Sequence, residues 1–135
     1  MGDLTTNFSK HEFMCPCCGV LNLDPKLPIL CQKIRDRLSA ILGQEIAMRV
    51  NSGYRCDPHN VRVGGAKSSQ HLHGRAADLA DARTANRLTG TRIFEEVRKM
   101  YAEGLIPELG YAKRYNTFCH VDTRTTPVNN RFDAS

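Results

Sequence analysis

Two short polar motifs, one at 69–78 and the other at 119–122, constrain this chain more than any other feature. The first runs Ser69-Gln70-His71-Leu72-His73-Gly74-Arg75-Ala76-Ala77-Asp78, and the second is Cys119-His120-Val121-Asp122. His71, Asp78 and His120 offer two imidazoles and a carboxylate, a ligand set that zinc accepts, and three protein ligands leave a fourth position for water. A fold that uses this set must bring the two segments together across residues 79–118. The spacing of His71 and Asp78 is not the single helical turn of a His-Glu-x-x-His zinc motif. A loop bent at Gly74 is therefore expected to deliver His71, and the strand after it Asp78. His120 then comes from a neighbouring strand, whose alternation puts Asp122 on the same face. There Asp122 either orients the imidazole or contacts the water at the metal.

The rest of the chain predicts a single mixed domain over residues 1–135, with its core at about 8–124 and a polar tail at 125–135. A length of 135 residues suits one core, and 41% hydrophobic content is enough to pack it. Ser9-Lys10-His11-Glu12 has the form of a capping box and opens a short helix anchored by Phe8 and Phe13. Asp24-Pro25 starts a long helix with Leu27, Leu30, Cys31, Ile34, Leu38 and Ile41 at helical spacing, and Gly43 ends it. Residues 46–50 alternate like a strand. The stretch 56–69 holds Pro58, Gly64 and Gly65 without periodicity and reads as an ordered surface loop. Residues 76–80 form a buried strand. A helix over 91–102 turns Ile93, Phe94, Val97, Met100 and Tyr101 inward, with Glu95, Glu96, Arg98 and Lys99 mostly outward. Residues 109–111 and 117–122 close as strands around a turn at 113–116. Helices first, then short strands with an intervening helix, make an α+β domain whose small antiparallel sheet packs with helices.

No basic segment followed by an apolar stretch opens the chain, and no window reaches the roughly 18 apolar residues of a membrane span. Synthesis in the cytoplasm without a signal peptide, and no membrane partner, are the expectations. A formal charge of +5 suits an anionic partner without selecting among nucleic acid, membrane and cell-wall polymer. Six cysteines without an export signal point to thiols or metal ligation rather than disulfides. Cys15 and Cys18 have the two-residue gap of a zinc knuckle, with Gly19 for the turn. A second Cys-x-x-Cys is missing, so Cys31 and Cys56 are the distant candidates to complete a structural zinc site; the alternative is buried or free thiols. Cys31 falls on the apolar stripe of the long helix and Cys119 opposite His120, so both are assigned to packing.

Taken together, Ser52-Gly53-Tyr54-Arg55, Asn60, Gly64-Gly65-Ala66, Ser69-Gln70-His71, Gly74-Arg75-Ala76-Ala77-Asp78 and His120-Val121-Asp122 resemble the M15 family of zinc peptidases. Within it, the chain looks like the zinc D-Ala-D-Ala carboxypeptidase branch, which includes murein peptidases and phage endolysin-type proteins. The resemblance implies the hedgehog/DD-peptidase fold, with zinc at His71, Asp78 and His120. It also implies hydrolysis of amide bonds in peptidoglycan peptides, by a carboxypeptidase or an endopeptidase. By the same matching Arg55 binds a substrate carboxylate or steadies the oxyanion, and Ser69 and Gln70 shape the metal loop. His73 is read as lining the substrate cleft; a His-x-His pair on a strand also binds zinc, which makes it an alternative ligand.

One departure stands out. Related peptidases often carry an acidic residue or histidine two or three positions before the last zinc histidine, as general base. Here those positions hold Phe118 and Thr117, which take no proton usefully near neutral pH, and Asp122 is the substitute candidate. A zinc-binding wall module without strong catalysis is therefore the alternative reading. A nucleic-acid-binding zinc protein is a distant third, because it needs a second cysteine pair or a helix carrying the His59-Asn60 elements. No nucleic-acid partner is expected.

Overall fold

The computed structural model describes residues 2–135; Met1, the first residue of the expected domain, lies outside the described residues. Three elements precede residue 56. Helix α1 (Lys10–Phe13) opens with the Ser9 backbone N–H donating to Glu12 Oε2 at 2.8 Å, the capping-box contact. Helix α2 (Lys26–Leu42) starts where Asp24 Oδ1 accepts from the Lys26 N–H at 3.1 Å, and stops at Gly43 in the left-handed region. Strand β1 (Met48–Ser52) follows. Helix α2 buries Leu27, Leu30, Cys31, Ile34 and Leu38 as its periodicity predicts, but Ile41 is 42% exposed because it lies in the last turn, past the edge of the core.

Residues 56–69 are more ordered than a loop. Helix α3 (Asp57–Arg62) is started by an extended Cys56 and by Pro58 in its first turn, a signal that carries no apolar stripe because Val61 is 77% exposed. A 3₁₀ turn (Gln70–His73), β2 (Ala76–Asp81), α4 (Gly90–Ala102), β3 (Tyr111–Arg114) and β4 (Cys119–Asp122) complete the expected order. The polar tail then adds β5 (Phe132–Asp133), a short strand that the sequence pattern does not predict. Phe132 packs edge-on against Phe94 and Tyr101, so a single aromatic draws the tail onto the domain.

The sheet runs β1-β2-β4-β3-β5, and every pair is antiparallel except β3–β5, which is parallel; the fold is α+β with a mixed sheet. The core lies between this sheet and helices α2 and α4, centred on Leu30, Ile34, Leu79, Phe94, Val97 and Val121. No helix among the described residues is long and apolar enough to cross a membrane. Glu96 of α4 is buried rather than outward, and Arg37, Arg92 and Lys99 surround its carboxylate.

At the end of β2, the fully buried Asp81 carboxylate accepts from Arg83 Nη2 at 2.7 Å, and from the Arg83 and Leu88 backbone N–H groups at 2.9 and 2.8 Å. Burial alone raises its pKa, but these donors outweigh it and hold the carboxyl below the usual carboxylate range. A depressed folded pKa gives stability that is present above the unfolded value near 3.9 and is lost as pH falls through the folded one. Asp81→Asn is therefore expected to destabilise the fold by about 2 kcal/mol at pH 7, with the gap from wild type closing as pH drops below about 4. Urea unfolding across pH measures this, and a gap independent of pH would contradict it.

Candidate metal centre

Strand register fixes half of the site. Asp78 on β2 stands directly opposite His120 on β4, so two ligand side chains rise from one face of the sheet as neighbours. His71 arrives from the 3₁₀ turn, where Ser69 Oγ accepts from the His71 backbone N–H at 3.2 Å. Its ring is set by the Gly53 carbonyl, 2.7 Å from Nδ1, which leaves the Nε2 lone pair facing Asp78. Gly53 is itself pressed on the backbone of Phe13, and an added Cβ would lie 2.7 Å from Phe13 Cα.

The three ligand atoms converge. Asp78 Oδ1 is 3.3 Å from His71 Nε2 and 3.0 Å from His120 Nδ1, and one ligand atom from each residue lies within 4.8 Å of the others. A tetrahedral zinc with bonds of about 2.05 Å to nitrogen and oxygen has ligand edges of about 3.4 Å, which these distances match. Among the described residues, buried His71 Nε2 has no hydrogen-bond partner, although a carboxylate oxygen is 3.3 Å away. A bare lone pair aimed at an anion is unfavourable unless a cation lies between them, so the residues fit a bound metal.

Electrostatics agree with that fit. Burial raises the Asp78 carboxyl, but the His120 hydrogen bond and the adjacent His71 outweigh it and put Asp78 well below the ordinary carboxylate range. Burial lowers His120, yet the hydrogen bonds to Asp122 and Asp78 outweigh it and shift its pKa upward. A group that holds an imidazolium between two carboxylates offers the same negative field to a metal ion.

Asp122 lies behind the triad. Its Oδ2 is 2.9 Å from His120 Nε2, on the ring edge opposite Asp78, and Arg124 also donates to it at 2.7 Å. Asp122 is fully buried and does not line the cleft in front of the ligands. Of the two roles open to it from the sequence, this position matches the orienting one.

The ligands form the floor of an open cleft of about 370 Å³, within the range of small-ligand sites. Arg55 and Ser69 line it; Gln70 and His73 do not. His73 instead faces a separate hollow with Asp24, Arg75 and Thr123, outside the ligand group. Arg55 is held on the cleft wall by Ser52 Oγ at 3.1 Å and Asn60 Oδ1 at 3.0 Å, while Asn60 Nδ2 donates to the Ala66 carbonyl. Burial lowers its pKa, and Asp78 across the cleft partly offsets that. Opposite stand Tyr115 and Phe118, stacked with ring centroids 4.5 Å apart. No sequence motif marks Tyr115 as a cleft residue, whereas Phe118, which stands where a general base is missing, lies two positions before His120 on the same face, the signal that points to it.

An α+β fold with a His-Asp-His triad at the floor of an open cleft defines a small metal-dependent hydrolase. The family model for Peptidase M15 matches residues 6–122, so the chain belongs to peptidase family M15, a family of zinc-dependent metallopeptidases. Its substrate class is peptide. No curated protein matches the chain.

Proposed function

We propose that the chain is a zinc peptidase that hydrolyses amide bonds in bacterial peptidoglycan peptides, made in the cytoplasm and acting on the wall once released. The observation that carries this reading is Arg55, whose half-buried guanidinium faces the same cleft as His71, Asp78 and His120. Zinc held there would supply Lewis acidity, polarising an amide carbonyl and lowering the pKa of water toward about 7. Arg55, pre-set by Ser52 and Asn60, presents its fork of donors to a substrate carboxylate or to the developing oxyanion. Peptidoglycan stem peptides carry free carboxylates, and a net charge of +5 favours an anionic wall polymer. The Tyr115–Phe118 stack offers the apolar side of the cleft, where a peptide backbone or methyl group excludes water. Asp122 keeps Nδ1 of His120 aimed at the metal position by accepting from Nε2.

A wall-binding module without turnover is the second reading, favoured by one observation. Among the described residues lining the cleft, Asp78 is the only carboxylate, and it is committed to the triad. Digestion of purified muropeptides by zinc-loaded protein, followed by mass spectrometry, separates the two. Hydrolysis is expected to release new amino termini, to stop with chelator and to resume with zinc. Retention of muropeptide without any new amine would favour the binding module.

A further inference from the structure

The second concentration of ligand chemistry lies outside the cleft, where Cys15, Cys17, Cys18 and Cys56 come together. The chain folds residues 15–20 into a closed turn: the Cys15 N–H donates to the Val20 carbonyl and the Gly19 N–H to the Cys15 carbonyl, with Gly19 in the left-handed region. That turn delivers three thiols to one point, and Cys56 brings the fourth from the residue that starts α3. Cys31 and Cys119 take no part; both are buried in the core, where burial pushes their thiols up.

The sulfur spacing is that of ligands around one ion. Cys15 and Cys17 are 3.4 Å apart, Cys15 and Cys56 3.5 Å, Cys17 and Cys56 3.2 Å, and all four sulfurs lie within 4.8 Å of one another. A tetrahedron with zinc–sulfur bonds of about 2.3 Å has edges of about 3.8 Å. Disulfides would instead close individual pairs to about 2.05 Å. Here three sulfurs are nearly equidistant, and all six cysteines are free thiols.

We propose that Cys15, Cys17, Cys18 and Cys56 bind a structural zinc ion that fastens the N-terminal segment to the loop carrying Arg55. A soft tetrathiolate set selects zinc among the common divalent ions, and four protein ligands leave no open position, so this site is not catalytic. The parts it joins are already in register: the Tyr54 N–H donates to the Phe13 carbonyl at 2.7 Å, one residue before Arg55 and two before Cys56. The same loop supplies the Gly53 carbonyl that sets the His71 ring. The thiolate zinc thus holds both the anion-binding arginine and the orientation of one ligand of the other metal. Only this last consequence rests on the peptidase reading.

Metal analysis of the full chain purified under reducing conditions tests the proposal. Wild type is expected to carry two zinc ions per chain, and His120→Ala, which disables the cleft site alone, is expected to retain one. In the cobalt-substituted His120→Ala protein, a near-ultraviolet thiolate-to-cobalt charge-transfer band is expected. A thiol-specific mercurial should release the remaining zinc from folded His120→Ala protein, a readout that needs no cysteine variant to fold. Absence of metal from the His120→Ala protein, a cobalt spectrum without the thiolate band, or a disulfide among these cysteines under reducing conditions would overturn the assignment. Inactivity toward muropeptides with both zinc ions present would count against the peptidase reading and leave this one standing.

Discussion

His120→Ala is expected to remove the cleft metal and to reduce amide hydrolysis by roughly a thousandfold or more. The variant deletes a ligand that stands 3.0 Å from Asp78 Oδ1 and leaves only His71 and Asp78, too few for a stable zinc site. Metal polarisation of the carbonyl is worth several kcal/mol, and about 4 kcal/mol corresponds to a thousandfold in rate. Zinc content after dialysis, with muropeptide turnover at saturating zinc, measures both effects. Asp122→Asn in the same assay separates positioning from proton transfer. Asparagine still accepts from His120 Nε2, so a positioning role predicts a loss of about 10–100-fold in zinc affinity with turnover recovered at excess zinc. A general base would leave affinity intact and turnover abolished even at saturation. Full activity of His120→Ala without zinc would dismiss the metal mechanism altogether.

The ligand triad was legible because metal chemistry restricts residue type, and because the glycine-bent segment and the His-x-Asp strand each admit few conformations. Helices α2 and α4 were legible for a different reason, their long apolar stripes. What escaped the sequence depends on closure in three dimensions. Spacing leaves the distant partner of Cys15 and Cys18 open between Cys31 and Cys56, and only the folding of α2 and β1 brings Cys56 to Cys15 while Cys31 stays in the core. The Tyr115–Phe118 stack depends on the register of the β3–β4 hairpin, in which the Tyr115 N–H donates to the Phe118 carbonyl. Strand β5 rests on two residues and one aromatic, too short for an alternating pattern. Glu96 was placed outward because carboxylates usually are; three cations converging from α2 and α4 allow it to be buried.

Gly74 links fold and site, and Gly74→Ala is expected to destabilise the protein by about 3 kcal/mol and to weaken zinc binding with it. Two effects add. Gly74 has φ +67°, where an L side chain costs about 1–2 kcal/mol. Its Cβ would also fall 1.7 Å from the Asn22 carbonyl oxygen, an overlap with backbone that cannot rotate away and adds a further ~1–3 kcal/mol. The Gly74 carbonyl accepts from the Asp24 N–H at 2.9 Å, so the segment cannot retreat without disturbing the start of α2. Relief must come from the 3₁₀ turn, and that turn carries His71. Gly43→Ala is the internal comparison: its φ is +66° but nothing lies within 4 Å of an added Cβ, so it bears the conformational cost alone. Urea unfolding of the three metal-free proteins, followed by zinc titration, should place Gly43→Ala about 1–2 kcal/mol below wild type with unchanged zinc affinity. Gly74→Ala should fall lower on both measures. Equal stability of the two variants would mean that the Asn22 contact relaxes freely. Undiminished zinc affinity in Gly74→Ala would mean that His71 is held by the Gly53 carbonyl alone.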